Sequence, residues 1–403
     1  MALAGPARPA PNGEDIAIFP AEQDEALAET LKASATPPLA CLAGRRWSAP
    51  PARGLNAKSA FTGAISLDAP PKLLAAQMEA WIRVAVAEEE LTRRCATADA
   101  LNVPAPQPPE PRRLKALYIG APSSMFLALE RALAEQDGVV AAAFSSYAGF
   151  DHLHDEVFDA VVLNGAQDAP TAISLCAALR RNATLHDLPT MVVVASGDTD
   201  TAKAVIDRGA SAVATVNAPT GASLGWLFEA VRRERRRRLA EHDICALRDL
   251  MGESRTGLWQ RPAFDAHLAR LAADHHASGR PLSLAILRVL PAHGARTPPE
   301  DIWRKGFTEV ASLAARLMRD ADSGVTLGSD LIAVALPAAR LRSAKRTAER
   351  IASVAECTAF ASGDGGAGPL VFEQSAVELQ PGESGAGMLA RALRAIEVEQ
   401  IPA

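Results

Sequence analysis

The densest chemistry in the chain lies between Arg319 and Arg350. Arg319-Asp320-Ala321-Asp322 sets a guanidinium and a carboxylate three positions apart. The planar arginine fork suits the O6/N7 edge of a guanine or a phosphate. Asp322 can accept from the N1–H and N2–H₂ groups of the same base. Downstream, RLRSAKRTAERIA carries Arg346 and Arg350, four apart and therefore on one helical face. Such donors and acceptors could meet a guanine base or a phosphate. The alternative is an Arg-x-x-Asp that is paired with itself on the surface, a common match in a chain this rich in arginine.

The elements around these residues must hold them in place. Apolar runs at 282–289 and 325–336 read as strands, the second broken by a turn at Gly328-Ser329, so residues 255–403 are expected to be α+β. Upstream, short apolar strands at 114–119, 140–144, 160–163, 191–195 and 212–215 alternate with helical segments. That pattern implies a doubly wound parallel sheet in residues 114–238, an α/β arrangement. An arginine-rich helix from 223 to about 250 follows, with 239–254 as the connection between the two. Its Arg232–Arg238 run is expected to be a solvated face, with Trp226, Leu227 and Val231 packing inward or onto a second subunit. The stretch NVPAPQPPEPRR, residues 102–113, reads as an extended linker. Before it, residues 1–101 give strands at 16–19, 39–43 and 63–67 and helices at 22–33 and 71–98. These are too few elements for a complete five-stranded sheet.

Composition narrows the function classes. The 403 residues are enough for several cores, and 48% are apolar but only 4% aromatic. A net charge of -5 gives no bulk attraction to nucleic acid or anionic lipid. The arginine run lacks the interleaved aromatics that stack on bases. The five cysteines are scattered with no Cys-x-x-Cys pairing, which fits a reducing compartment and argues against a zinc site. His152, His154, His275 and His276 have no partner ligands at metal spacing and are expected at the surface. The N-terminus has no signal-peptide pattern, and no apolar run reaches the roughly 18–20 residues that cross a membrane. A cytoplasmic protein is the expectation.

The C-terminal region resembles a GGDEF domain, the fold that makes cyclic di-GMP. Glu253-Ser254-Arg255-Thr256-Gly257-Leu258-Trp259-Gln260-Arg261 is similar to the opening motif of that family. Gly328-Ser329-Asp330-Leu331-Ile332 stands at its signature, with five residues between Asp322 and Gly328. The resemblance implies that Arg319, Asp322, Arg346 and Arg350 form the inhibitory site that binds cyclic di-GMP. It also places a metal-binding aspartate of active members at Arg288, and Leu331 at an acidic signature position. Joining two GTP molecules needs divalent metal on the phosphates. A single carboxylate, Asp330, beside an arginine does not meet that need. The resemblance therefore implies no catalytic residues, no metal and no cofactor, with cyclic di-GMP as a regulatory ligand.

Residues 114–238 resemble a response-regulator receiver domain, and residues 1–101 a truncated one. The phospho-acceptor position falls on Asn164 and the magnesium-binding acidic pair on Gly120-Ala121. The remaining switch positions fall on Val194 or Ser196, and on Val216 or Asn217. An amide cannot form an acyl phosphate, so phosphorylation is not expected. Asp168 is expected to be a loop acid. The whole layout is similar to PleD- and PopA-type response regulators. That resemblance implies a homodimer that recruits protein partners, among them an adaptor feeding the ClpXP protease in cell-cycle control, with placement at the cell pole. Two alternatives remain: a nucleotide-independent scaffold, and a residual diguanylate cyclase.

Overall fold

The computed structural model describes residues 16–20, 39–44, 50, 63–107, 109–217, 220–295, 298–362 and 369–398. The helix expected at 22–33 lies outside the described residues. The chain divides into two compact units, Met1–Val86 with Pro109–Leu239, and Ala87–Pro108 with Ala240–Ala403. Two of the three divisions fall inside long helices, Pro71–Ala100 (α1) and Thr220–Met251 (α6), and the third falls within the proline-rich stretch, between residues 108 and 109. Residues 87–100 of α1 therefore belong with the C-terminal unit.

The first unit holds two parallel sheets. Strands Ile16–Pro20 (β1), Leu39–Gly44 (β2) and Gly63–Ser66 (β3) pair in sequence order. Trp81 and Val84 of α1 bury against Cys41, Ala43 and Ile65 of this sheet.

The second sheet comprises Lys115–Ile119 (β4), Val139–Ala143 (β5), Ala160–Asn164 (β6), Thr190–Val194 (β7) and Ala212–Thr215 (β8). Its order is β5-β4-β6-β7-β8 and every pair is parallel, a doubly wound arrangement. Alternation serves both faces: Leu117, Val161 and Val192 enter one core, and Tyr118, Val162 and Val193 the other. Helices Ser124–Ala134 (α2), Ser146–Asp155 (α3), Ala169–Arg181 (α4) and Thr199–Asp207 (α5) connect the strands. Ser145, Asp168 and Asp198 cap the last three by accepting from backbone N–H groups three residues on. Leu224, Leu227 and Val231 of α6 pack onto the same core as Tyr118.

The second unit is α+β. Strands Leu282–Pro291 (β9), Ser323–Leu327 (β10), Leu331–Pro337 (β11) and Leu370–Glu378 (β12) form an antiparallel sheet of order β10-β11-β9-β12. Arg261–Ser278 (α7) and Gly385–Val398 (α11) cover one face. Glu300–Leu317 (α8), Leu341–Glu356 (α9) and Ala359–Ser362 (α10) cover the other. The near-continuous apolar run of β9 follows from this double cover. Leu282, Leu284 and Ile286 face one core, and Ala285, Leu287 and Val289 the other. Each fully buried leucine or isoleucine there contributes about 1.5–3 kcal/mol.

Candidate functional site

The Arg-x-x-Asp motif forms the short loop between α8 and β10. Its two ends bind each other: the Asp322 N–H donates to the Arg319 carbonyl at 3.0 Å, and the Arg319 N–H donates to Asp322 Oδ2 at 2.9 Å. The loop thus turns the Asp322 carboxylate inward, where only 3% of the residue is exposed. Burial pushes its carboxyl up to about 6, against the opposing pull of the Arg319 N–H and the Arg319 and Arg94 charges. Arg319 is exposed, and its guanidinium has no hydrogen-bond or ion-pair partner among the described residues.

Helix α9 delivers the other two arginines. Its apolar stripe, Ala344, Ala348, Ile351, Ala352 and Ala355, packs on the sheet and leaves Arg346 and Arg350 exposed. Arg350 Nη2 donates to the Leu317 carbonyl at 2.8 Å, which brings it to the start of the Arg319 loop. Arg346 stands one turn earlier on the same helix with no hydrogen-bond or ion-pair partner among the described residues. The fold therefore gathers Arg319, Asp322 and Arg350 from two separate segments, with Arg346 alongside on α9. Two exposed cations at one loop can meet an anion, with the Asp322 carboxylate enclosed within that loop.

The signature residues form the turn between β10 and β11. Gly328 takes φ +83°, the left-handed conformation that this three-residue hairpin loop requires. Trp303 Nε1 donates to the Ser329 carbonyl at 2.8 Å and fixes the turn against α8. Arg288 on β9 lies opposite Leu331, and its Nε meets Asp330 Oδ2 at 3.1 Å. The two side chains expected at a metal site thus neutralise each other. Leu331 packs against one core and Ile332 is wholly buried in the other. Among the described residues no group of three or more His, Cys, Asp and Glu side chains could hold a metal ion.

A third set of residues has no trace in local sequence patterns. Glu90 and Arg94 of α1 and His267 of α7 are all fully buried. Arg94 Nε donates to Glu90 Oε1 at 2.7 Å, and His267 Nε2 stands 3.1 Å from the same oxygen. Burial would raise Glu90, but His267, Arg94 and Arg93 outweigh it and hold the carboxyl down to about 2. Burial likewise keeps the His267 imidazole below its ordinary value. Arg94 also reaches the carbonyls of Asp320 and Asp322. Glu90 and Arg94 stand one turn apart on α1, but His267 and the loop carbonyls come from distant parts of the chain, so no spacing rule joins them to that pair.

In the doubly wound sheet, the end of β6 holds Asn164 at the point where strand order reverses. Its Nδ2 donates to the Ala121 carbonyl at 2.8 Å, and the Tyr118 hydroxyl donates to the same carbonyl at 2.9 Å. Gly120, at φ +124°, brings the β4 turn so close that an added Cβ would stand 3.0 Å from that of Asn164. Neutral hydrogen bonds fill the place where a cation and acidic pair are expected in a receiver. Val194 is buried at the end of β7, and Val216 and Asn217 are exposed beyond β8.

Asp168 is an exposed loop acid as expected, where it caps α4, and the bond from Thr171 holds its carboxyl below the ordinary value. Two expectations need correction. His275 is buried at 3% exposure, with Nδ1 3.2 Å from the Arg280 carbonyl, because it falls on the core face of α7. The arginine run of α6 is not a solvated face. Arg233 is buried over the Trp81 ring, Arg235 pairs with the buried Asp159, and Arg237 and Arg238 pair with Glu234.

No family model matches the chain, and no curated protein matches it. Solved structures to which it is similar include the GGDEF domain of DgcB from Caulobacter crescentus in complex with c-di-GMP. That similarity is 22% identity over 38% of this chain and 88% of the other, with a TM-score of 0.29. The FimX GGDEF domain from Pseudomonas aeruginosa is 13% identical over 37% of this chain and 92% of its own, with a TM-score of 0.30. A protein described as a response regulator, from Chloroflexus aurantiacus, is 17% identical over 30% and 98%, with a TM-score of 0.28. At these identities and scores the likenesses carry no argument about ligand or activity.

Proposed function

We propose that the chain binds cyclic di-GMP at Arg319, Asp322, Arg346 and Arg350 without synthesising it, and that the bound form recruits protein partners. The observation that carries this reading is the contrast between two neighbouring charge clusters. Arg288 and Asp330 cancel at the signature turn, while Arg319 stands exposed and unpaired beside Arg350. A divalent cation needs uncommitted carboxylates. A guanine or phosphate needs uncommitted arginine donors. The first supply is missing at the turn, and the second is present at the loop.

Calorimetric titration of the purified chain with cyclic di-GMP tests the reading. Micromolar or tighter binding, lost in Arg319→Ala, is the expected result. No binding up to high micromolar ligand overturns it. Incubation with GTP and Mg²⁺ or Mn²⁺ is expected to yield no cyclic di-GMP, and any turnover would return the chain to the cyclases. The recruited partner is proposed to be an adaptor for the ClpXP protease, met by a homodimer at the cell pole. Capture of that adaptor with and without ligand reads this directly.

One observation favours a second reading. Asp322 commits one oxygen to its own loop and is almost wholly enclosed. A nucleotide-independent scaffold would keep such a loop merely closed. The same titration separates the two.

A further inference from the structure

We infer that Arg94 is a positioning residue for the Arg319–Asp322 loop, so that residues 87–100 set whether that loop can receive a ligand. The inference rests on reading the loop as the ligand site.

Arg94 is fully buried, and its donors are matched to a scattered set of acceptors. Nε donates to Glu90 at 2.7 Å, Nη1 to the Ile244 carbonyl at 2.9 Å, and Nη2 to the carbonyls of Asp320 at 2.6 Å and Asp322 at 3.2 Å. The guanidinium also lies 5.1 Å from the centre of the Trp259 ring. Only the Glu90 contact lies within its own helix. The other donors stitch α6 and the loop to α1.

A buried ion pair is weak evidence for stability, because apolar side chains of similar volume often do as well. Arg94 and Glu90 therefore call for a reason beyond core packing. The loop supplies one. Residues 318–322 belong to no helix or strand, and their own closure consists of the two bonds between Arg319 and Asp322. Carbonyls drawn inward by a fixed cation leave the Arg319 side chain on the outside. Arg248 and Cys245 of α6 stand 3.6 Å from Asp320 Oδ1 and brace the same loop from its other end.

The test uses the full chain and the variant Arg94→Met, which keeps the unbranched apolar stem but has neither charge nor donors. Amide hydrogen exchange is measured first without ligand. The amides of Arg319 and Asp322 are expected to exchange about tenfold faster, the worth of one lost hydrogen bond to a charged group. Amides of β9 should be unchanged. Cyclic di-GMP affinity should fall by about the same factor. Arg94→Lys keeps the charge opposite Glu90 but cannot span Glu90, Ile244 and the loop at once; the same pattern is expected at reduced size. Unchanged loop exchange overturns the inference. So does equal loosening of β9, or failure of both variants to fold, since Arg94 would then serve the core at large. If the unaltered chain binds no dinucleotide, the ligand reading fails, yet the exchange measurement still decides the role of Arg94.

Discussion

The turn at Gly328-Ser329-Asp330 and the loop at Arg319–Asp322 flank the same strand, β10, and use the same residue types to opposite ends. At the turn, Arg288 and Asp330 are paired, each about a quarter exposed. At the loop, the carboxylate is turned inward and the arginine outward. Strand pairing explains the first: Arg288 lies across from Leu331 in the β9–β11 ladder, so its side chain falls beside the turn. The second arises because the loop satisfies Asp322 with its own backbone, so the Arg319 side chain makes no ion pair among the described residues. The sequence distance between opposite charges says little about whether they cancel.

Four measurements sharpen or break this contrast. Arg319→Ala should weaken cyclic di-GMP binding by about 1–3 kcal/mol, roughly fivefold to 150-fold, as titration would read. Its melting temperature should hardly move, since the side chain has no protein partner. A large loss of stability would mean that the arginine is structural.

The next effect is pH dependence. Asp322 titrates near 6 in the folded chain, above its ordinary 3.8. Such a group takes up its proton earlier in the folded state. Its contribution to stability is complete below about pH 3.8 and is lost as pH rises through 6, on the order of 2–3 kcal/mol in all. Ligand binding runs the other way, because the ionised carboxylate is the stronger acceptor. Affinity should fall toward about tenfold per unit below pH 6, and Asp322→Asn should flatten that profile. A pH-independent affinity in the unaltered chain would place the guanine elsewhere.

Arg350→Ala should cost a few-fold in affinity, less than Arg319→Ala, because Arg350 already spends one donor on the Leu317 carbonyl. Arg288→Ala should leave binding unchanged and alter stability by no more than about 1 kcal/mol in denaturant unfolding, the range of partly exposed pairs. Should Arg288→Ala damage binding as much as Arg319→Ala, the two clusters would be one site.

Much of the fold was legible in short-range pattern. The five strands of the doubly wound sheet lie within a residue of where their apolar runs predicted, because buried parallel strands are near-continuously apolar. The β10–β11 hairpin was marked by Gly328. Strand β12 was not, since Glu373-Gln374-Ser375 interrupts its apolar run. The arginines of the candidate site were found by their position in a motif. The inward turn of Asp322 was not, because it depends on how the loop closes. Least legible was the C-terminal share of α1. Its face reads as an ordinary amphipathic helix, and nothing local says that Ala98 belongs to the core of Leu284 and Ile286.

The placement of residues 87–100 also sets a timetable for biosynthesis. Arg94 leaves the ribosome 226 residues before Asp320, its loop partner. At roughly 5–20 residues per second, the helix waits tens of seconds with Glu90 and Arg94 still wet and its apolar face uncovered. During that interval the nascent chain has completed the doubly wound sheet but cannot close the C-terminal core. Slow decoding between codons 100 and 320 would lengthen the exposure, and the yield of folded protein should fall with it.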